Sequence, residues 1–548
     1  MEIKMPPIMS KGANTVGTIE VTVGQLVTAG QVLANVETGK GNRPIKCGSD
    51  GRILDILCKE GDQVVPGQDL FLFEEVSAAD LPKEPVKADL FILGGGPGGY
   101  VAALYAAKHG LSVALAERDL LGGTCLNRGC IPTKALIQSA QLREALLQSA
   151  AFGVTAGEIK VDEAAIFQRK SDICAELRQG VEGLLEGSRV AVIPGHARLT
   201  GQGTALVTDG DTQTEVHFTD AILATGSVPA RPPIVSLPET VMDSDRALSA
   251  GRFPQSIVLI GGGVIGMEFA FLYRAMGAQV YVVEYQDHIL GSVDADVSDT
   301  VAQAARNKGI EIYTSAKITN VRRAESAQTL VTFEQEGVER ILVAESVLTA
   351  TGRRPVTQNL GLEELGVALT SRGFVDIDET MATNVPHLYA IGDVTGKLAL
   401  AHAASHQGIA AVDAIRGTPR KMDYDAVPSV IFTHPEVACV GKTERACAEE
   451  GIPVVVSKFP FGANGKAKIM GQTEGFVKLL RHAETRRLLG GAVVGPDASA
   501  LISTIATAVK SGLTDLDLSD VVFAHPTTAE AIYEADLGLG VGMLHYQS

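Results

Sequence analysis

Two thirty-residue stretches of this chain follow one plan. DLFILGGGPGGYVAALYAAKHGLSVALAER begins at Asp89, and SIVLIGGGVIGMEFAFLYRAMGAQVYVVEY begins at Ser256. Each reads as an apolar strand, a glycine turn, a helix, and a second apolar strand closed by an acid. The glycines are Gly94, Gly96 and Gly99 in the first unit, and Gly261, Gly263 and Gly266 in the second. Glu117 and Glu284 each lie 23 residues past the first glycine of their unit. The first glycine makes the turn, the second admits a pyrophosphate to the backbone, and the third lets helix pack on strand. The closing acid accepts from a ribose hydroxyl. One such turn is common; two with equal spacing and a closing acid, one domain length apart, predict two dinucleotide-binding α/β domains. Each domain ends alike, as an apolar strand runs into Ala224-Thr225-Gly226 and into Ala350-Thr351-Gly352. A carboxylate at Glu284 would repel a 2′-phosphate, so the second unit favours NAD(H) over NADP(H).

Ahead of these units the texture differs. The first 75 residues are short alternating strands punctuated by glycine, in two similar copies: GTIEVTVGQLVTAGQVLANVE and GRILDILCKEGDQVVPGQDLFLFE. A doubled β unit of this size predicts a small flattened barrel or sandwich with quasi-twofold symmetry. Between the copies, Thr38-Gly39-Lys40-Gly41-Asn42 reads as an exposed hairpin tip. Residues 76–88, rich in Ala, Pro and alternating charge, read as a solvated linker. The expected order is then 89–231 for the first part of one nucleotide-binding domain, 232–354 for the other, and 355–426 for the remainder of the first. An α+β domain over 427–548 follows, where strand signals such as GFVKLLR and RLLGGAVVG meet a helical run at Asp497–Ser511.

Composition excludes several classes. The net charge is −17 over 548 residues, so phosphate-rich nucleic acid and anionic membrane surfaces would be repelled. No uncharged apolar run reaches membrane-spanning length, and the opening MEIKMPPIMSKGANT has no apolar signal-peptide core. Seven cysteines in so long a chain are no disulfide framework, which points to a reducing cytoplasm. Cys47, Cys58, Cys174, Cys439 and Cys447 show no pairing logic, and no residue cluster has metal-ligand spacing.

The remaining two cysteines sit in GGTCLNRGCIPTK, Gly122 to Lys134. Four intervening residues do not suit a zinc knuckle. A buried structural pair is one reading. The other is a reducible pair on a helix after a glycine turn, where the helix N-terminus lowers a thiolate pKa.

With GGGPGGY, ATGS at 224–227, GGGVIGME, ATGRRP at 350–355, AIGDV, LAHAA at 400–404 and AHPTTAE at 524–530, that segment makes an ordered set. From Asp89 onward the chain resembles the flavin-disulfide pyridine nucleotide oxidoreductases, and among them the dihydrolipoamide dehydrogenases. The resemblance implies a multidomain flavoprotein with two Rossmann-like domains and a C-terminal α+β dimerisation domain. It implies FAD on Gly94, Gly96, Gly99, Glu117, Gly123, Thr124, Lys134, Ala224, Thr225, Gly226 and Asp393. It implies NAD on Gly261, Gly263, Gly266, Glu284 and Gly352. It also implies a Cys125–Cys130 redox disulfide, a Lys134–Glu268 pair near the flavin, and His525 as acid/base oriented by Glu530, reaching the disulfide of the other subunit in a homodimer. Two positions depart from the family pattern: Phe523 stands where a second histidine is frequent, and Gln407 where a glutamate is.

The N-terminal domain resembles lipoyl/biotinyl carriers, with Lys40 at the modified position, although Gly39 replaces the usual Asp and neither flanking residue is Met. This implies lipoate on Lys40; an unmodified docking module is the alternative. The implied activity is oxidation of protein-bound dihydrolipoamide with NAD⁺. The alternatives are NAD(P)H-dependent reduction of another disulfide, and a lipoyl carrier or assembly subunit with structural flavin. The implied partner is a lipoyl-bearing acyltransferase or carrier of a 2-oxo acid dehydrogenase, acetoin or glycine cleavage system.

Overall fold

A computed structural model describes residues 1–7, 14–39, 41–76, 84–232, 238, 241–325 and 328–547. Lys40, and most of the expected linker (77–83), lie outside the described residues. Two compact units are present, one containing Met1–Val86 and the other Lys87–Asp209 and Val216–Ser548.

The first unit is all-β. One four-stranded sheet orders Glu2–Lys4, Asp69–Glu75, Gly51–Ile56 and Leu26–Val27; the other orders Gly41–Lys46, Val32–Thr38, Asn14–Ile19 and Gln63–Val64. Each sheet draws strands from both copies of the repeat, so neither copy buries its apolar side alone. Leu33, Val36, Ile53, Leu70, Phe71 and Phe73 fill the space between. The duplication persists in the turns. Thr28 N donates to Gln31 Oε1 at 3.1 Å, and Val65 N to Gln68 Oε1 at 3.0 Å, at equivalent points of the two copies. Gly30 and Gly67, which precede these glutamines, both have φ near +85°, a left-handed conformation that favours glycine.

The second unit holds a mixed sheet, parallel at its centre, and a parallel one. In the first, the order is Ala191–Pro194, Val113–Glu117, Val86–Leu93, Thr212–Leu223, Thr204–Asp209 and His196–Gly201. Strand Leu388–Ala390 returns to it beside Ala221–Leu223, so the AIGDV segment rejoins the sheet that starts near Asp89. Leu90 to Leu93 are buried on both faces, as a covered parallel sheet requires. That strand begins at Val86, inside the stretch read from the sequence as linker.

The second sheet orders Ile310–Tyr313, Gln279–Val283, Ser256–Ile260 and Ser346–Thr349, all parallel. Beyond them, Ser429–Ile431, Glu436–Gly441, Leu488–Gly495, Phe476–His482 and Val454–Pro460 form a five-stranded antiparallel sheet. Helices Ala498–Ser511 and Glu530–Leu537 pack on it. No helix among the described residues is long and apolar enough to cross a membrane.

Candidate functional site

The two glycine turns are built alike down to single atoms. Gly94 and Gly261 have φ of +112° and +111°. A Cβ on Gly94 would come within 2.4 Å of Ala224 O, and one on Gly261 within 2.5 Å of Ala350 O. A Cβ on Gly99 would meet Gly94 O at 1.9 Å, and one on Gly266 would meet Gly261 O at 1.9 Å. Only glycine fits these four positions. The space above Gly263 is open, with nothing within 4 Å of a built Cβ, as close approach of a phosphate group needs.

Both acids are held the same way. Glu117 accepts from Gly95 N at 2.7 Å and Asp119 N at 2.9 Å. Glu284 accepts from Gly262 N at 2.5 Å and Gln286 N at 2.7 Å. Each carboxylate is thereby fixed across its turn, with lone pairs left over for ribose hydroxyls. Ala224 and Ala350 close the strands through their amides on Leu93 O and Ile260 O, both at 2.8 Å. Thr225 Oγ1 donates to Val356 O at 2.7 Å, while Gly226 O and Gly352 O accept from Val356 N and Ala230 N.

A Cβ on Gly123 (φ +55°) would lie 2.7 Å from Gly96 Cα. The cysteine segment therefore starts hard against the first turn, with Thr124 next in line. The two cysteines do not share one helix, as the spacing led us to expect. Gly129, at φ −147° and ψ −112°, ends helix Gly123–Arg128, and Cys130 opens helix Cys130–Gln148. The break places Cys130 at a helix N-terminus, with Cys125 one short helix earlier. Both are free thiols in hydrogen-bond contact.

Donation from the Cys125 thiol is the main cause that holds Cys130 down at about 7; burial opposes it and the Lys134 ammonium assists. The same contact, with burial, pushes the Cys125 thiol far up. The contact favours Cys130 over Cys125 as the thiolate of the pair.

Lys134, one turn into the second helix, places Nζ 3.0 and 2.8 Å from the two Glu268 carboxylate oxygens. Glu268 comes from helix Val264–Ala275 and is 5% exposed. Phe432 completes the group, donating its N–H to Glu268 Oε1 at 3.0 Å while its ring lies 4.6 Å beneath Lys134 Nζ. Phe432 was invisible to sequence reasoning, because a lone aromatic beside a strand reads as core.

Asp393 sits in the turn Gly392–Thr395 and accepts from Ser227 Oγ at 2.5 Å; Arg353 Nε in turn donates to Ser227 Oγ at 2.6 Å. Both new members directly follow the two Ala-Thr-Gly closures, a signal present in the sequence but not used. Gln407 is fully buried, accepting from Gly392 N at 2.6 Å and donating to the Tyr424 hydroxyl at 2.9 Å. An amide can do both, which accounts for glutamine at this position.

His525 Nδ1 lies 2.8 Å from Glu530 Oε1, and Thr527 N donates to Glu530 Oε2 at 2.9 Å. Burial opposes ionisation of Glu530, but the Thr527 amide and the His525 ring outweigh it and keep the carboxyl below its usual range. The His525 side chain is 79% exposed. Among the described residues no hydrogen bond joins it to either cysteine. Phe523, in place of a second histidine, packs 6.0 Å from the Tyr533 ring.

Residues 88–408 match the pyridine nucleotide-disulphide oxidoreductases, and residues 427–536 match the dimerisation domain of the same group. The chain belongs to this family. Its N-terminal residues 1–73 match a further family described as biotin-requiring enzyme, which covers biotin and lipoyl domains. Relatives include dihydrolipoyl dehydrogenases of Geobacillus stearothermophilus, 39% identical over 83% of this chain and 97% of that protein, and of Bacillus subtilis, 40% identical over 82% and 96%. Among solved structures, LpdA of Mycobacterium tuberculosis superposes with a TM-score of 0.77 at 29% identity, covering 83% of this chain and all of that one. The HOCl-induced flavoprotein disulfide reductase RclA of Escherichia coli, as a Cu(II) complex, gives 0.74 at 29% identity, covering 82% and 99%. As a pyridine nucleotide-disulphide oxidoreductase the chain uses FAD and a pyridine nucleotide, and its two glycine turns with their fixed acids fit two such groups.

Proposed function

We propose that this protein oxidises protein-bound dihydrolipoamide to lipoamide and passes the electron pair to NAD⁺. The observation that carries the reading is the Cys125–Cys130 pair, in which one sulfur is a favoured thiolate and the other its proton donor, beside the Lys134–Glu268 ion pair. His525, oriented by Glu530, takes a proton from a dihydrolipoyl thiol at Nε2. The resulting thiolate attacks Cys125 of the oxidised pair, breaking the Cys125–Cys130 bond and leaving Cys130 as thiolate. The second substrate thiol then displaces Cys125, and lipoamide departs. Bound FAD supplies the two-electron link between Cys130 and the nicotinamide.

Gly94, Gly96, Gly99, Gly123, Thr124, Ala224, Thr225, Gly226, Glu117 and Asp393 hold FAD. Gly261, Gly263, Gly266, Gly352 and Glu284 hold NAD, with Glu284 excluding a 2′-phosphate. Lys134 and Glu268 fix the charge beside the flavin. The exposure of His525 fits a homodimer in which it serves the partner's cysteines. The domain boundaries given above, with the first strand moved back to Val86, describe the architecture.

The N-terminal domain carries lipoate on Lys40, and the protein works in the cytoplasm with a lipoyl-bearing complex. Turnover of dihydrolipoamide with NAD⁺, set against glutathione and coenzyme A disulfides with NADH, tests the activity. Cys130→Ser should abolish it, and normal turnover by that variant would sink the mechanism. Intact mass of protein from a lipoylation-competent host, with peptide mapping, tests Lys40.

A further inference from the structure

The two halves of the cysteine pair are unequally supported. Cys130 opens a helix of 19 residues, Cys130–Gln148, whereas Cys125 lies in one of six, Gly123–Arg128. A helix that short closes too few backbone bonds to stand alone, so its place depends on what ties it down from outside.

Asn127, two residues past Cys125, supplies a tie. Its Nδ2 donates to Leu121 O at 2.9 Å and to Gly123 O at 3.0 Å, clamping the end of the short helix onto the turn that starts it. Its Oδ1 accepts from Arg178 Nη1 at 3.0 Å. A guanidinium only donates, so Arg178 dictates which end of the amide faces it and leaves the amide hydrogens to the carbonyls. Arg178 stands 51 positions away, on the 25-residue helix Glu163–Gly187. That helix is fastened at its start by Asp162, whose side chain accepts from Ala165 N. Glu182, one turn beyond Arg178, lies 3.9 Å from its Nε and steadies the guanidinium. The short helix is thereby moored to a long one.

The mooring matters because of what the pair must do. A disulfide closes only over a narrow Cα separation. In the reduced state the Cys125 thiol must still reach Cys130 to donate to it. Both states need Cys125 held in place. The charges acting on Cys130 are those of Lys134 and Glu268, so the guanidinium of Arg178 works by geometry and not by its field.

We propose that Arg178, acting through the Asn127 amide, is a positioning residue for Cys125 that keeps its sulfur within reach of Cys130. The inference rests on the redox role proposed above for this pair.

The test is Arg178→Met, which keeps a long side chain and loses the donors. Reduced holoprotein is alkylated across a pH series, with modification of Cys130 read by peptide mass, and Tm is measured alongside. Releasing Asn127 weakens donation from Cys125, so the Cys130 midpoint should rise by about half a pH unit, with Tm close to wild type. Asn127→Ala should raise it at least as far, and the double variant no further than Asn127→Ala alone. In a Cys125→Ala background, Arg178→Met should leave the midpoint where it is. An unmoved midpoint in either single variant, additive shifts in the double, or the same shift without Cys125 would overturn the positioning role. A rise that comes only with a large fall in Tm would mean general loosening and would overturn it too. Wild-type protein that forms no Cys125–Cys130 disulfide on oxidation would overturn the redox pair and the positioning together. A wild type that forms it, beside an unmoved Arg178→Met midpoint, overturns the positioning alone.

Discussion

Cys130 owes its acidity chiefly to one neighbour, the Cys125 thiol, with the Lys134 ammonium assisting. Alkylation of the reduced protein should therefore follow an ionisation near pH 7, and Cys130→Ser should remove that phase. Cys125→Ala, which deletes the hydrogen-bond donor, should move the midpoint upward by roughly one unit. An unmoved midpoint would mean that Lys134 or the helix end is the dominant cause. A second residue-scale test concerns stability. Asp536 is buried, neither carboxyl oxygen has a hydrogen-bond partner, and burial together with Asp515 raises its carboxyl to about 7. The folded state binds this proton more tightly than the unfolded chain does. Its contribution is thus full below about pH 4 and is lost as pH rises through about 7. Asp536→Asn should raise the Tm at pH 8 and raise it by less at pH 5. Equal shifts at both pH values would count against the titration.

The glycine turns set the argument at the scale of elements. An added methyl on Gly99 or Gly266 would sit 1.9 Å from a carbonyl oxygen of its own turn. Strand and helix would have to separate in either case, although the proposed function gives the two turns different groups. Gly99→Ala should yield protein with little bound flavin, read from its visible absorbance. Gly266→Ala should retain flavin and lose affinity for NAD⁺ by tenfold or more in a direct titration. Flavin loss from both variants alike would mean that the turns are coupled through folding and do not serve separate sites. These turns were legible because a glycine turn between two strands is a local backbone requirement. The interruption at Gly129 was not, because a single glycine inside a helical pattern is tolerated as often as it breaks the helix.

Across the whole second unit, Lys478 is the clearest tie between domains. It is fully buried on the strand Phe476–His482, with Nζ 2.8 Å from Asp294, 2.9 Å from Asp296 and 2.7 Å from Glu444. Asp294 and Asp296 belong to the domain of the second glycine turn, and Glu444 to the C-terminal one. These three carboxylates have the spacing of a metal site, yet the ammonium already stands among them. Burial alone would disfavour the charged amine, but the three hydrogen-bonded acids raise its basicity. Lys478→Met would leave them clustered without a counter-charge, at a cost of about 3–5 kcal/mol. Calorimetry should then show a Tm lower by several degrees, and an unchanged Tm would mean that Lys458 or water takes over the charge.

Sequence alone determined the two nucleotide-binding units and the doubled β domain, while the resemblance to a known family singled out the cysteine segment and the His525–Glu530 pair. The units follow from backbone turns and from strand and helix periodicity, which recur along the chain within a few dozen residues. Only the tertiary structure decided that Gly129 splits the cysteine segment between two helices, and that Phe432, Ser227 and Arg353 support Glu268 and Asp393. It alone set Arg178 on Asn127, and put Lys478 among acids more than thirty and more than 180 positions away. Those facts depend on which groups meet when separate elements pack and on how much water they lose there, and neither quantity is encoded in local spacing.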